Sequence, residues 1–408
     1  MFVFSAWACA DRDTLYVDKG ALFTAANEPL VMRGFNEMFV WSKDKTGKHL
    51  LSEISKTGAN TVRLVWDKNT AKADLITLID NTLVQKMVAI PECHSATGKW
   101  GRALKACINF WHDPQLIAAI ERNRQWTIVN IANEAGDQNI SDEDFFTTYQ
   151  AAIKSLRTWG YTVPLMIDAS LWGQNLDQLL RVGPRLLKED PLANIIFSVH
   201  SYWPAAVSIE NYEKVAQKAK ALGITMIVGE GPSVTRVGQC DLEQPLPYLE
   251  GMKILHEHNV GWLNWSWGGM KNGDCDNFRY FDITQAGSFG LWTHKPGANI
   301  VALSPYSVMQ TSERPSSFYT DGVVKVSGVY IYSEKRELTV GESTSFKILV
   351  APLNAANKNY LLTLDGDTAS IKIDEKNSRL IAIKAGAVKL KVTTQDQGLQ
   401  WMLDLRVK

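Results

Sequence analysis

The sequence is short of several features, and each shortage excludes something. No run of about 18 apolar residues exists, so no single helix can cross a bilayer. Net charge is absent, with 43 Lys and Arg against 43 Asp and Glu. A balanced chain exerts no general pull on nucleic acid or anionic membrane, and suits a neutral polar ligand better. Cysteine is sparse, at five in 408 residues, and no C-x-x-C spacing marks a zinc site. A Gly-rich phosphate loop is missing after the first apolar run, which argues against an open dinucleotide-binding sheet.

Tryptophan, by contrast, is plentiful at 14 residues. Indole rings serve as plain core or as stacking surfaces for the apolar C–H faces of sugars. The first ten residues, Met1 to Ala10, are apolar and end in small residues before Asp11-Arg12-Asp13. They read as the tail of a secretory signal, with a disordered tail as the alternative. Cys9 would leave with such a signal. Cys93, Cys107, Cys240 and Cys275 remain, an even number that suits disulfides in a secreted protein and allows three pairings.

Eight short apolar, β-branched runs recur along the chain. They are Leu30–Phe35, Asn60–Trp66, Met87–Pro91, Trp126–Ala132, Pro164–Ala169, Asn194–Val199, Thr225–Gly229 and Gly261–Trp265. Amphipathic stretches of helical period lie between them, clearest at Phe145–Trp159, Tyr212–Leu222 and Pro247–Asn259. Thr57-Gly58 and Leu222-Gly223 read as helix stops, and Ser141 with Asp144 as a helix start. Eight β-then-α units predict a (β/α)₈ TIM barrel over residues 11–312, with an eighth helix near Asn299–Thr311. A small hairpin at Thr14–Ala25 precedes the first strand and is expected to plug the N-terminal end. Residues 313–322, beginning Glu313-Arg314-Pro315-Ser316-Ser317, have linker chemistry. Residues 323–408 alternate in short strands broken by Gly341, Pro352, Asn357 and Gly366, which predicts a small β-sandwich. Val326-Ser327-Gly328-Val329, Leu338-Thr339-Val340-Gly341-Glu342 and Ala351-Pro352-Leu353-Asn354-Ala355 resemble the bacterial Ig-like group 2 module, which implies a spacer or attachment role.

Chemistry on such a barrel sits at the C-terminal ends of the strands. Those ends carry Arg63 on strand two, Glu92-Cys93-His94 on strand three, Asn133-Glu134 on strand four, His200-Ser201-Tyr202 on strand six, Glu230 on strand seven and Trp265-Ser266-Trp267 on strand eight. Glu134 and Glu230 would face each other across the mouth. A retaining glycosidase needs two carboxyls ~5–5.5 Å apart, one as acid/base and one as nucleophile. Arg63 would keep the nucleophile ionised, Tyr202 would hydrogen-bond it, Asn133 would hold the sugar 2-hydroxyl, and Trp265 would floor the cleaved subsite. Taken singly, Arg63, His94 or His200 would more often be structural, and Trp41, Trp66 and Trp172 are equally readable as core. The ordered set makes the sharper reading.

With Arg33-Gly34-Phe35-Asn36, Gly58 to Arg63, His94 to Gly98, Val129 to Glu134, Met166 to Ala169, Trp172-Gly173-Gln174-Asn175, Phe197 to Tyr202 and Gly261 to Trp267, residues 14–312 resemble glycoside hydrolase family 5. The bacterial endo-β-1,4-mannanase branch is the most similar. The resemblance implies a secreted, retaining, endo-acting hydrolase of mannan or glucomannan. Glu134 is then acid/base and Glu230 nucleophile, with Arg63, His94, Asn133, His200, Tyr202, Trp265, Trp172, Gln174, Trp41 and Trp66 around the substrate. No cofactor or metal is implied. The expected partner is a polysaccharide and the expected state a monomer.

Four positions depart from the branch. Ser95 stands where Asp usually follows the strand-three His, Gly231-Pro232 where Phe-Gly follows the nucleophile, Gly268-Gly269 where Gly-Asn ends the last strand, and Glu37 where His is common. They touch the substrate shell and keep open a β-1,4-glucanase or another family 5 β-glycosidase. A catalytically dead carbohydrate-binding or adhesive protein is the reading from another class, which the intact Glu134, Glu230, Arg63 and Tyr202 oppose. Neighbouring barrel loops would bring Cys240 to Cys275, while Cys93 and Cys107 bracket the loop that carries His94. Those two pairings are expected.

Overall fold

The computed structural model describes residues 12–408. The stretch read as a signal remnant, with Cys9, lies outside the described residues. Eight parallel strands close into a barrel in which strand eight pairs with strand one. In chain order they are Arg33–Glu37, Thr61–Trp66, Val88–Cys93, Val129–Asn130, Leu165–Asp168, Ile195–His200, Thr225–Gly231 and Gly261–Asn264. Each falls on one of the eight apolar runs. Thr61–Trp66 is buried at every position, as expected of a strand covered on both faces. Strand four has the shortest regular ladder, yet the chain around it still bonds both neighbours, through Ile128 to Ala89 O and Ile131 to Met166 O.

The Tyr16–Asp18 and Ala21–Phe23 hairpin sits at the N-terminal end. Leu15 and Leu22 close that end by packing with Val88, Ile90, Ile128, Met166, Ile196 and Ile227. The helix Asp142–Thr158 begins at Ser141, whose hydroxyl accepts the Asp144 N–H at 3.1 Å and donates to its carboxylate at 2.7 Å. The stretch read as helical at Tyr212–Leu222 belongs to a longer run, Ala205–Glu213, a π turn Lys214–Lys218, and Ala219–Ala221. Among the described residues no helix is long and apolar enough to cross a membrane.

Beyond the barrel lie two four-stranded sheets. One runs Gly328–Ser333, Ser343–Ala351, Arg379–Ala382, Ile371–Asp374; the other Glu337–Leu338, Gln400–Val407, Gly386–Thr394, Tyr360–Gly366. Their alternate inward residues, among them Ile331, Leu380, Leu390, Leu403 and Leu405, form a separate apolar core. This unit does not hang free of the barrel. Tyr330, Leu349 and Ala351 belong to the barrel's own apolar cluster. The segment with linker composition is docked as well. Arg314 is buried and donates to the carbonyls of Ser55 and Ala59, and Phe318 stacks on Trp126 at 3.6 Å.

Candidate active site

Two glutamates meet at the C-terminal mouth of the barrel. Glu230 is the next-to-last residue of the seventh strand and Glu134 lies just past the fourth. The Glu134 backbone has φ +47°, a region a non-glycine residue enters only when its surroundings hold it there. Asp168 Oδ2 accepts its N–H at 3.1 Å, and its carbonyl accepts the Gly98 N–H at 2.8 Å. Its side chain meets His200 Nδ1 at 2.7 Å. Glu230 accepts from Arg63 Nη1 at 2.9 Å through one oxygen and from the Tyr202 hydroxyl at 2.8 Å through the other. One oxygen of each glutamate and a ring nitrogen of His200 lie within 4.8 Å of one another.

Behind the two carboxylates Arg63 acts as a hub. Its Nε donates to Asn130 at 2.9 Å, Nη1 also to Asn36 at 3.2 Å, and Nη2 to Asn133 at 2.6 Å and Asp168 at 3.1 Å. A guanidinium with no solvent exposure must be paired to stay charged. Burial works against that charge, but Glu92, Asp168, Glu230 and Glu134 outweigh it and hold the proton more tightly than usual.

The same balance sets the other groups. Burial pushes the Glu230 carboxyl above the usual glutamate range and repulsion from Glu134 adds to it, while His200, Arg63 and His94 pull it down. Burial opposes charge on His200 too, yet Glu230, Asp168 and Glu134 raise it to about 9. Tyr202 is held well above the phenol range, by burial first and then by Glu230 and Glu134, so it stays a donor. His94 is raised as well: burial lowers it, but Glu92, 2.8 Å from its Nδ1, overcomes that.

In front of the carboxylates opens a cavity of about 650 Å³ lined by His94, Glu134, Trp172, Gln174, Tyr202, Glu230 and Trp265. Trp265 is fixed by its Nε1 donating to Asn272 at 2.9 Å, and it stacks toward His94 at 6.4 Å. Trp172 is 40% exposed. Its indole lies so close to Gly98, at φ +65°, that a Cβ there would fall 2.2 Å from Nε1, so only glycine fits. Trp41, 46% exposed, meets His94 edge-on at 5.4 Å. It borders a further hollow of about 370 Å³ that Leu50, Gly269, Met270 and Ala286 also line. Trp41 follows strand one and Trp172 follows strand five, which stand opposite each other in the closed order.

The residues named from sequence thus divide. Glu134, Glu230, Tyr202, His94, Trp265, Trp172 and Gln174 line the cavity, and Trp41 borders its neighbour. Arg63, Asn133 and His200 do not line it. They are fully buried behind the carboxylates: Arg63 bonds Glu230, His200 meets Glu134, and Asn133 reaches them only through Arg63. Asn133, expected at the sugar 2-hydroxyl, is engaged by Arg63 and by Thr97, to which it donates at 2.8 Å. Trp66 is corrected outright: it has no exposure and lies in the core, because side chains alternate along the strand and Trp66 falls with Val62 and Leu64 on the face opposite Arg63, packed outside the barrel rather than at its mouth.

Both expected disulfides are present, Cys93–Cys107 and Cys240–Cys275, with Cα atoms 5.6 and 5.5 Å apart. Several residues of the site were not picked out from the sequence. Asp168, fully buried, joins Arg63, Asn130 and the Glu134 backbone; its signal was a carboxylate ending an apolar strand. Glu92, named at the end of strand three without a role, holds His94. Arg236 from the short strand Thr235–Arg236, Asn272, and Phe278 and Phe281 from the 3-10 helix Asp276–Phe281 line the cavity. Ser95, at the position where Asp is usual, donates to Asp67 at 2.6 Å. Among the described residues, Glu134, His200 and Glu230 are near enough together to share a metal ion, but Arg63 already supplies the positive charge at Glu230.

The family model Cellulase (glycosyl hydrolase family 5) matches residues 23–271. A mannan endo-1,4-beta-mannosidase of Salipaludibacillus agaradhaerens is 31% identical over 317 residues, covering 75% of this chain and 96% of that protein. One from Cellvibrio japonicus is 26% identical over 325 residues, covering 75% and 70%. The solved beta-mannanase from Thermomonospora fusca superimposes with a TM-score of 0.66 at 21% identity, over 76% of this chain and 100% of that one. That of Streptomyces thermolilacinus with mannohexaose gives 0.65 at 24%, over 75% and 99%.

Proposed function

This chain belongs to glycosyl hydrolase family 5, and from that premise we propose that it is a retaining endo-β-1,4-mannanase. The observation that carries the reading is the pair Glu134 and Glu230, with carboxylate oxygens within 4.8 Å at the floor of an open cleft. That spacing suits the ~5–5.5 Å carboxyl gap of retaining enzymes and leaves no room for the attacking water that inversion needs. Glu230 attacks the anomeric carbon as Glu134 gives its proton to the leaving oxygen. A water then enters, Glu134 takes its proton, and the hydroxide displaces Glu230 from the sugar. Arg63 and Tyr202 hold the Glu230 anion ready, and His200 holds the Glu134 side chain.

Two features support internal cleavage of a long chain. Trp172 and Trp41 offer exposed rings on opposite sides of the mouth, and Trp265 lines the cavity beside His94. Mannose differs from glucose in the axial 2-hydroxyl, so the choice falls to polar groups near that oxygen, not to the indole floor. We assign this to His94, which lines the cavity and whose ring Glu92 fixes. The departures at Glu37, Ser95 and Gly269 leave β-1,4-glucan as the second reading. A reducing-sugar assay on soluble β-mannan, glucomannan and β-glucan tests the choice. Mannan and glucomannan are the expected substrates, and a kcat/KM on β-glucan equal to or above that on mannan overturns it.

The reading includes an extracellular setting, supported by two disulfides, which persist in oxidising compartments. It also keeps residues 11–312 as catalytic unit, 313–322 as connection and 323–408 as a module of Ig-like kind. The polysaccharide is the only partner this reading requires, and a monomer suffices.

A further inference from the structure

The loop after the eighth strand carries Trp265 and then runs to the C-terminal unit. Past Trp267 it folds back, with Ile283 and Thr284 bonding Ser266 and Trp267, and turns through residues 285–291. At that turn Gly287 O accepts the Trp267 Nε1 proton at 2.8 Å. Gly287 is also wedged against Leu50 and Gly269, where a Cβ would fall 2.2 Å from Leu50 and 3.2 Å from Gly269. Leu50, Gly269 and Ala286 are walls of the hollow next to Trp41. The far side of the turn rests on the C-terminal unit. Phe289 packs edge-on against Trp401 at 5.3 Å and Tyr330 at 5.8 Å, and Trp292 Nε1 donates to the Tyr330 hydroxyl at 3.1 Å. Gly290, at φ +84°, lies so tight on Trp401 that a Cβ would stand 2.0 Å from the ring.

The same unit presses on the other wall. Ser327 donates to Ser55 O at 2.7 Å, at the end of the helix Leu50–Ser55 that carries Leu50. Gly328 abuts the Lys56 carbonyl so closely that a Cβ would fall 1.9 Å from it. Both walls of the hollow beyond Trp265 are therefore buttressed from one side by residues of the C-terminal unit.

We propose that this unit is a brace for the cleft, with Trp401 as the positioning residue that fixes the strand-eight turn and so the distal sugar-binding end at Trp41. Trp401 touches no substrate; it acts through Gly290, Gly287 and Gly269. The proposal rests on the mannanase reading. Its signature is chain-length dependence, because only a chain long enough to reach the hollow senses the brace.

The test compares kcat and KM on β-1,4-mannohexaose and β-1,4-mannotetraose in full-length variants, well below their melting temperatures. Trp401→Ala and Gly290→Ala, which disturb the contact from its two sides, are expected to lower kcat/KM on the hexaose about tenfold through KM, and on the tetraose by less than about twofold. Trp401→Phe is expected to restore most of the loss. Leu380→Ala weakens the core of the C-terminal unit away from the turn, at the end of the sheet where Leu380 pairs with Thr344 and not where Tyr330 pairs with Leu349, and is expected to lower the melting temperature with the hexaose-to-tetraose ratio unchanged. Equal losses on both substrates, an unchanged ratio in Trp401→Ala and Gly290→Ala, or the same change in Leu380→Ala would overturn the brace. Wild-type inactivity on both would instead overturn the mannan reading, and cello-oligosaccharides of the same lengths would then test the brace.

Discussion

Asp168 Oδ2 holds the backbone N–H of Glu134 at 3.1 Å, pinning the one glutamate of the pair whose backbone sits in the left-handed region. The same oxygen accepts from Arg63 at 3.1 Å and lies 3.5 Å from His200 Nε2. One buried carboxylate thus sets the backbone of Glu134, the guanidinium that faces Glu230, and the charge of the imidazole between the pair.

Asp168→Asn keeps the shape and removes the charge. Its two oxygens both face donors, Asn130 on one side and Arg63 with the Glu134 N–H on the other, so the amide NH2 must meet a donor and disturb the network that holds Glu134. Misplacing a catalytic group by about 1 Å costs roughly a hundredfold in rate, and kcat should fall by about that factor with the fold intact. His200 is charged below about 9, and Asp168 is one of the anions that raise it. The alkaline limb of kcat/KM should therefore move toward neutral pH in the variant. A pH–rate profile superimposable on wild type would refute this role.

Trp66 and Trp265 separate packing from binding. Trp66 is wholly buried, and Trp66→Phe should lower the melting temperature while leaving KM unchanged. Trp265 lines the cavity, and Trp265→Ala should raise KM on mannan oligosaccharides by about tenfold or more, as loss of a stacked ring does. Steady-state kinetics beside thermal melts distinguishes the two; a KM effect at Trp66 would contradict the geometry.

Glu37 carries a pH signature in stability. Its buried carboxylate accepts N–H bonds from Met38 at 2.9 Å, Gly268 at 3.1 Å and Gly269 at 2.9 Å. Burial nevertheless raises it to about 7 against those bonds, from the ordinary value of 4.5. A raised carboxyl binds its proton more tightly folded than unfolded, so stability is lost as pH climbs from about 4.5 through about 7. Denaturant titrations should show wild-type stability falling over that window relative to Glu37→Gln, by up to a few kcal/mol on the order set by the shift. Parallel pH curves would remove Glu37 as the cause.

The two disulfides should differ in reactivity. Cys93 and Cys107 are fully buried, whereas Cys240 is exposed. Mild reductant with mass mapping should open Cys240–Cys275 first. Removing Cys93–Cys107, which closes a loop of 14 residues in separation, should cost about 3 kcal/mol in the chain-entropy model. Prior reduction of the buried pair would contradict the order.

Much of this was legible in the sequence for plain physical reasons. A strand covered on both faces must be apolar throughout, so the eight runs from Leu30 to Trp265 announced themselves, and polar residues closing such runs, as at Glu134 and Glu230, stood out. Asp168 closes a run in the same way, yet a lone carboxylate does not reveal that three partners converge on it. Trp66 and Trp265 both close apolar runs, but alternation from the inward Arg63 turns Trp66 away from the mouth, whereas Trp265 lies just past its strand's last residue, Asn264, where alternation no longer applies. Arg236 and Phe278 sit in a two-residue strand and a six-residue 3-10 helix, elements too short for a hydrophobic period to announce them. The docking of Tyr330 and Trp401 had no local signal either, since an aromatic residue on a strand reads the same whether it meets its own sheet or a neighbouring unit.

The most direct measurement is ¹H NMR of the first product released from soluble β-1,4-mannan, recorded before mutarotation. The account predicts the β-anomer first, from two displacements at one carbon with Glu230 as the intermediate's anchor, and none from Glu230→Ala. An α-anomer appearing first, or undiminished release by Glu230→Ala, would contradict it.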